Sequence, residues 1–248
     1  MANIINQGTY HPRRVNQYVK AMQYASDVNY GGRTRISFSQ RSGATKVHPA
    51  ASVATSIMNA QNIAAATPPL DLTAVPAAPE PWGRTLLFTG SANVVAGSAI
   101  TVRGYDYLNQ PMTEVVNTVA GVTAIQGVRA FKALTSITFA ANTGTAPVTM
   151  SVGWGNKLGL PYRAIAASTE TSNGVPVATQ GTLVPGPFAQ TNNAAGAADP
   201  RGTYQPNTAM NGANEITASF DFANDIVEVT TTVPPQYNCG LMGYPHAG

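Results

Sequence analysis

Val148-Thr149-Met150-Ser151-Val152-Gly153-Trp154 alternates apolar with small or polar residues over seven positions. In an extended chain successive side chains point to opposite faces, so Val148, Met150, Val152 and Trp154 share one face and Thr149, Ser151 and Gly153 the other. The stretch predicts a half-buried β-strand. Outward from it, the same period recurs at 85–88, 100–107, 112–119 and 131–139, each bounded by Gly, Asn or Pro. Phe131, Ala133, Thr135, Ile137 and Phe139 fall on one face, and Leu108-Asn109-Gln110-Pro111 supplies a hairpin turn between 100–107 and 112–119. Short strands at this spacing predict an all-β fold, an antiparallel β-sandwich or barrel, with Phe131, Ile137, Phe139, Val148, Met150, Val152 and Trp154 in its core.

Before Trp82 the pattern is different. Val15, Tyr18, Val19 and Met22 have helical spacing and predict a short amphipathic helix over 15–25, ended by Gly31-Gly32. Ile36 and Phe38 alternate with Arg35, Ser37 and Ser39 and read as a strand. An Ala-rich stretch to Ala66 follows, then five prolines (Pro68, Pro69, Pro76, Pro79 and Pro81) within fourteen residues, a composition that predicts an extended strap. Residues 1–81 are therefore expected to form an extended, partly helical arm. Residues 82–170 are expected to be the β-domain, and 171–248 a loop-rich segment with a C-terminal hairpin. In that hairpin Ile216, Ala218, Phe220 and Phe222 are answered across Ala223-Asn224-Asp225 by Val227, Val229, Thr231 and Val233. The tail, 236–248, is marked by Gly and Pro and does not read as a strand.

The 248 residues contain 14 Lys and Arg, 11 Asp and Glu, and 44% hydrophobic residues. Charged residues make up 10%, against about 25% in an ordinary soluble domain. Low net charge (+3) at a mean hydropathy of −0.05 argues against wholesale disorder. So little charge implies a surface that largely faces other protein. The charge is also uneven: residues 1–50 hold seven bases and one acid, the remainder seven bases and ten acids. Such halves can complement each other or a neighbouring copy. Nucleic acid is the weaker partner for the basic arm, because its longest basic run is Arg13-Arg14.

The search for chemistry excludes more than it finds. Cys239 is the sole cysteine, so neither an intramolecular disulfide nor a thiolate metal cluster can form within one chain. His11, His48 and His246 lack a carboxylate or cysteine at ligand spacing and read as isolated surface histidines. No nucleophile elbow, zinc-protease helix or Walker loop is present, and Gly153-Trp154-Gly155-Asn156-Lys157-Leu158-Gly159 departs from the dinucleotide fingerprint by one residue, its glycines being explained by a strand end and turn. Glu114 inside a predicted strand invites pairing with Arg103 across the hairpin, either as a buried acid or, more simply, as a solvent-face ion pair. The expectation is a protein without enzymatic activity, cofactor or metal. The start Met1-Ala2-Asn3-Ile4-Ile5 lacks a basic head and apolar core, so no secretory signal is expected, and 50–72 is too interrupted by polar residues and Pro68-Pro69 to cross a membrane.

The run 98–121, with its order of strand, Gly104-Tyr105-Asp106, turn, Asn109-Gln110-Pro111, Thr113-Glu114 and strand, resembles a pattern in structural proteins of tailed bacteriophage virions. The resemblance continues through 130–138 and Gly155-Asn156-Lys157-Leu158-Gly159-Leu160-Pro161-Tyr162, with an echo in Asp199-Pro200-Arg201-Gly202-Thr203-Tyr204. It implies a virion subunit with no catalytic site to carry over. The most fitting role is a head decoration (cement) protein on the outer capsid surface, which clamps the major capsid protein lattice as a homo-oligomer, a trimer by the symmetry positions a head lattice offers. Arg13, Arg14, Arg33 and Arg35 are then the expected interface residues. A collar, tail or fibre protein is the second reading. A carbohydrate-binding adhesion module, using Trp82, Trp154, Tyr105 and Tyr107 as a platform, is the third.

Overall fold

The computed structural model describes residues 33–222, apart from 43, 69, 72–76, 79, 123, 162, 187–198 and 200. The sixteen strands are β1 (Arg33–Ser37), β2 (Gln40–Ser42), β3 (Thr45–Val47), β4 (Val53–Asn62), β5 (Leu70–Asp71), β6 (Arg84–Gly90), β7 (Ala99–Tyr105), β8 (Pro111–Asn117), β9 (Ala124–Gln126), β10 (Ala133–Phe139), β11 (Thr149–Gly159), β12 (Ala164–Ser172), β13 (Val175–Pro176), β14 (Thr182–Val184), β15 (Thr203–Gln205) and β16 (Ile216–Phe222). The described residues contain no helix, hence none able to cross a membrane. Every pairing among the strands is antiparallel. The fold is all-β.

Two sheets close on a first core. One runs β5-β10-β7-β8; the other runs β14-β15-β11-β6-β9, with β4 also paired to β11. Leu86 and Phe88 from β6 and Met150 and Val152 from β11 meet Ile100, Val102, Met112, Leu134, Ile137 and Phe139 from the facing sheet. Of the expected core residues, Phe131, Ile137, Phe139, Val148, Met150 and Val152 are buried, while Trp154 is half-buried at the edge of the same cluster. The hairpin turn after β7, read at 108–111, falls at 106–110. Asp106 Oδ1 accepts from the backbone N–H of Leu108 and Gln110, both at 2.8 Å, and Asn109 takes the left-handed conformation at φ 60° that Asn tolerates.

The period-two reading of 131–139 breaks inside β10. Its pairing with β7 slips between Leu134 and Ser136, so Leu134 and Ser136 are buried while Ala133 and Thr135 are half-exposed. One inserted residue reverses the faces upstream of it.

A second sheet-lined core lies beyond the first. Sheet β1-β16-β12-β13 supplies Ile36, Ala164, Ile216, Ala218 and Phe220, with Phe38 from just after β1. Leu158 from β11, Leu160 just after it, and Tyr204 from β15 complete it. Phe38, Tyr204 and Phe220 form an aromatic trio, stacked and edge-on, with centroids 5.0–6.3 Å apart. Strand β11 serves both cores, and its glycines are explained by close approach inside a continuous strand instead of a strand end and turn: a Cβ at Gly153 would collide with the Val53 carbonyl, one at Gly159 with that of Trp82, and one at Gly155 with the side chains of Gln126 and Thr85.

Two stretches read as part of an extended arm are paired strands. Ile36 and Phe38 lie in β1 and just beyond it, buried against β16, and 53–62 of the Ala-rich stretch form ten-residue β4 on β11. Slips at Met150/Val152 and Val152/Trp154, with Ala60 at φ 46°, interrupt the period in β4 that would have shown it as a strand. The predicted helix at 15–25, the tail 236–248 and Val227 to Val233 lie outside the described residues. Strand β16, the first arm of the expected C-terminal hairpin, is paired on both sides, to β1 and to β12.

Candidate functional site

Of the seventeen acidic and basic residues whose side chains are described, nine are buried: Glu80, Arg84, Asp106, Glu114, Arg129, Arg163, Glu170, Asp199 and Arg201. Charged side chains are rarely buried unless paired, and in a chain this poor in charge their concentration inside is the feature most in need of a reason.

Five of them form one network. Arg201 grips Asp199 with two parallel bonds, Nε to Oδ1 at 2.9 Å and Nη2 to Oδ2 at 2.8 Å, and its Nη1 lies 3.6 Å from Asp106 Oδ2. Asp199 Oδ2 also accepts from Ala130 N at 3.2 Å, and Asp199 N donates to the Val128 carbonyl. Glu114 Oε1 accepts from Val128 N at 2.6 Å. The network therefore joins the turn after β7, strand β8, the loop between β9 and β10, and the segment entering β15. The guanidinium of Arg201 lies 4.9 Å from the centroid of the Tyr107 ring, whose hydroxyl donates to the Pro161 carbonyl at 2.7 Å.

Three acids here face two arginines. Burial pushes the Glu114 carboxyl up to about 7, against the opposing pull of the Val128 and Arg129 amides and the Arg129 charge. Burial likewise raises Asp106, with Arg201 offsetting it. Burial also opposes the charge on Arg201, but Asp199 and Asp106 outweigh it and hold that guanidinium above its ordinary value. With the proton on Glu114 the five groups sum to zero charge. Glu114 is thus not the solvent-face partner of Arg103: it sits opposite Val102, turned inward, while Arg103 is exposed opposite Thr113.

A second cluster binds Glu80 to Arg84, Nη1 to Oε1 at 2.8 Å, while Lys132 Nζ donates to the carbonyls of Ala78 and Glu80 at 2.7 and 2.8 Å. A third centres on Glu170. Its carboxylate accepts from the amides of Gly181, Asn207 and Thr208 and from the Tyr204 hydroxyl, at 2.7 to 3.0 Å. Burial would raise Glu170, but these donors outweigh it and hold the carboxyl below its ordinary value. Burial and the neighbouring Glu170 raise the Tyr204 phenol.

Of the interface residues read from sequence, Arg13 and Arg14 lie outside the described residues. Arg33 opens β1 opposite Asp221, and Arg35 is exposed on the same strand, donating to the hydroxyls of Thr217 at 2.8 Å and Thr171 at 2.9 Å. The four aromatics of the sugar-platform reading are not one exposed surface. Trp82 packs edge-on to Tyr107 and donates to the Ser37 carbonyl, while Trp154 packs against the first core. His48 shares a 2.9 Å hydrogen bond with Ser39, and the described residues hold no group of three or more His, Cys, Asp or Glu able to bind a metal. The ionic networks were missed in the sequence. Their one local signal is an acid embedded in strand apolars, as Glu114 is between Met112 and Val116. No family model matches this chain, and neither does any curated protein or solved structure.

Proposed function

We propose that this chain is a structural virion subunit of a tailed bacteriophage, a decoration (cement) protein that binds and stabilises the major capsid protein lattice from outside. The observation that carries the reading is the inversion of charge. Nine of the seventeen charged residues with described side chains are buried, leaving faces rich in uncharged polar residues with exposed Val47, Val53, Tyr105, Val122, Ile165 and Val175. Such a surface suits a subunit that lives against neighbours. The resemblance of the run 98–121 to phage structural proteins supports capsid protein as those neighbours, and the buried networks supply a rigid body to clamp with. In this reading the two sheets around the first core form a sandwich, the subunit is a homo-oligomer, a trimer, and residues 1–32 are an extended, partly helical arm on neighbouring subunits.

The test is the ratio of this protein to the major capsid protein in purified particles. A copy number commensurate with lattice positions is expected; one ring's worth moves the protein to a collar, tail or fibre, and glycan binding by the isolated protein moves it to the adhesion reading. The arm is tested by deleting residues 1–32 and measuring retention on particles. The deletion stops at 32 because β1 belongs to the second core.

A further inference from the structure

We propose that the outer edge of β1 takes up residues 227–233 of a second copy of this chain as an added antiparallel strand. The inference deepens the homo-oligomer of the preceding reading by naming its joint, and it does not require the virion.

The edge comes first. Phe38 N donates to the Ile216 carbonyl at 3.0 Å, so in the antiparallel alternation residues 34, 36 and 38 bond to β16. The backbone groups of Arg33, Arg35 and Ser37 then face away from it, and the Ser37 carbonyl does so visibly, accepting from Trp82 Nε1 at 3.2 Å. Among the described residues no strand pairs with this side of β1. With the Ser37 carbonyl taken by Trp82, the edge is open at Arg33 and Arg35, and an open edge is a template for another strand.

The occupant follows from the chain that remains. Val227, Val229, Thr231 and Val233 alternate with Glu228, Thr230 and Thr232, the pattern of a half-buried strand. Its natural hairpin partner, β16, is filled on both sides, by Ser37 to Arg33 on one and by Ser172 to Ala164 on the other. Within its own chain the segment could reach β1 only by stepping over it through residues 223–226. It would then run parallel to β1 in a molecule whose every described pairing is antiparallel, and would cross the chain entering at Arg33, which lies opposite Asp221 at the same end of the sheet. From a second copy it can enter antiparallel with no crossing. Charge agrees: β1 brings Arg33 and Arg35, and the segment brings Glu228, with Asp225 just before it.

The experiment is equilibrium sedimentation of the full chain, free of particles, beside Arg35→Pro and Val229→Pro. Proline at 35 removes an outward amide and spares the ladder to β16; proline at 229 blocks the incoming strand. The wild type is expected to self-associate, each variant to do so about tenfold more weakly or worse. An equimolar mixture of the two should recover association, since one supplies an intact segment and the other an intact edge. Should Arg35→Pro fail to fold, Val229→Pro decides alone. A monomeric wild type, an unchanged Val229→Pro, or a mixture no better than its components overturns the inference. None of these results touches the copy-number test of the virion reading.

Discussion

The two cores of this molecule are built from the same kind of strand by different means. The first draws on β6, β7, β8, β10 and β11, and much of it comes from consecutive chain between 84 and 154. The second gathers Ile36, Leu158, Ala164, Tyr204 and Phe220 from distant parts of the sequence. The first is lined mostly by apolar side chains, with Ser136 and Glu114 buried on its strands. The second carries a phenol whose hydroxyl donates to buried Glu170, and the segment that brings β15 to it is tied to the first by Arg201, Asp199 and Asp106. Local alternation suffices to specify a core of neighbouring strands, whereas parts returning from far along the chain are held in register by directional polar bonds.

The largest expected effect comes from cutting that tie. Arg201→Ala leaves Asp106 and Asp199 buried without their counter-charge, and should cost about 3–5 kcal/mol in urea unfolding. Combining Arg201→Leu with Asp106→Asn, which keeps the Oδ1 acceptor for the Leu108 and Gln110 amides and leaves Asp199 facing Arg129, should recover part of that loss. If the double variant is as unstable as the single one, the tie is doing more than neutralising charge.

Next is pH. The folded Glu114 carboxyl titrates near 7 against an ordinary 4.5, so between those values the native state holds a proton that the unfolded chain has released. This contribution is whole below 4.5, falls as pH rises and levels off above 7, a loss on the order of 3 kcal/mol from this group. Glu114→Gln should flatten that part of the stability profile. Glu170 has the opposite sign: its pKa is lowered, so its contribution is present above 4.5 and is lost on acidification. Glu170→Ala should cost about 2 kcal/mol at neutral pH by stranding the amides of Gly181, Asn207 and Thr208, measured by the same unfolding.

These contrasts mark what could be read from the sequence. The strand at 148–154 is local, set by side-chain alternation, and is legible, though it runs on to Gly159; the hairpin turn read at 108–111 falls at 106–110, because Asp106 caps it and Pro111 already pairs in β8. The faces of β10 were not legible, since a bulge at 134–136 depends on its partner β7. Nor was β4, whose slips hide its period. The ionic networks were least legible of all. Asp106, Arg129 and Asp199 are far apart in sequence, and whether a charge is buried is decided by the partner that arrives, not by its neighbours along the chain. Asp199-Pro200-Arg201 was visible as a turn, but its bidentate grip was not.

The smallest effect tests the claim from its weak end. Lys46 and Glu215 form an ion pair between the β2–β3 hairpin and the loop entering β16, with side chains 49% and 31% exposed. Water screens such a pair, and ordering two long side chains offsets much of its attraction. A double-mutant cycle with Lys46→Ala and Glu215→Gln should therefore give a coupling of less than about 1 kcal/mol, fading further in high salt. The hairpin has a second attachment to the same loop, Gly212 N to the Pro49 carbonyl at 2.9 Å, which neither substitution removes. A coupling of Arg201–Asp106 size at this exposed position would mean that the loop entering β16 is held by charge as strongly as the segment entering β15, and that burial is not what separates the strong polar ties of this fold from its weak ones.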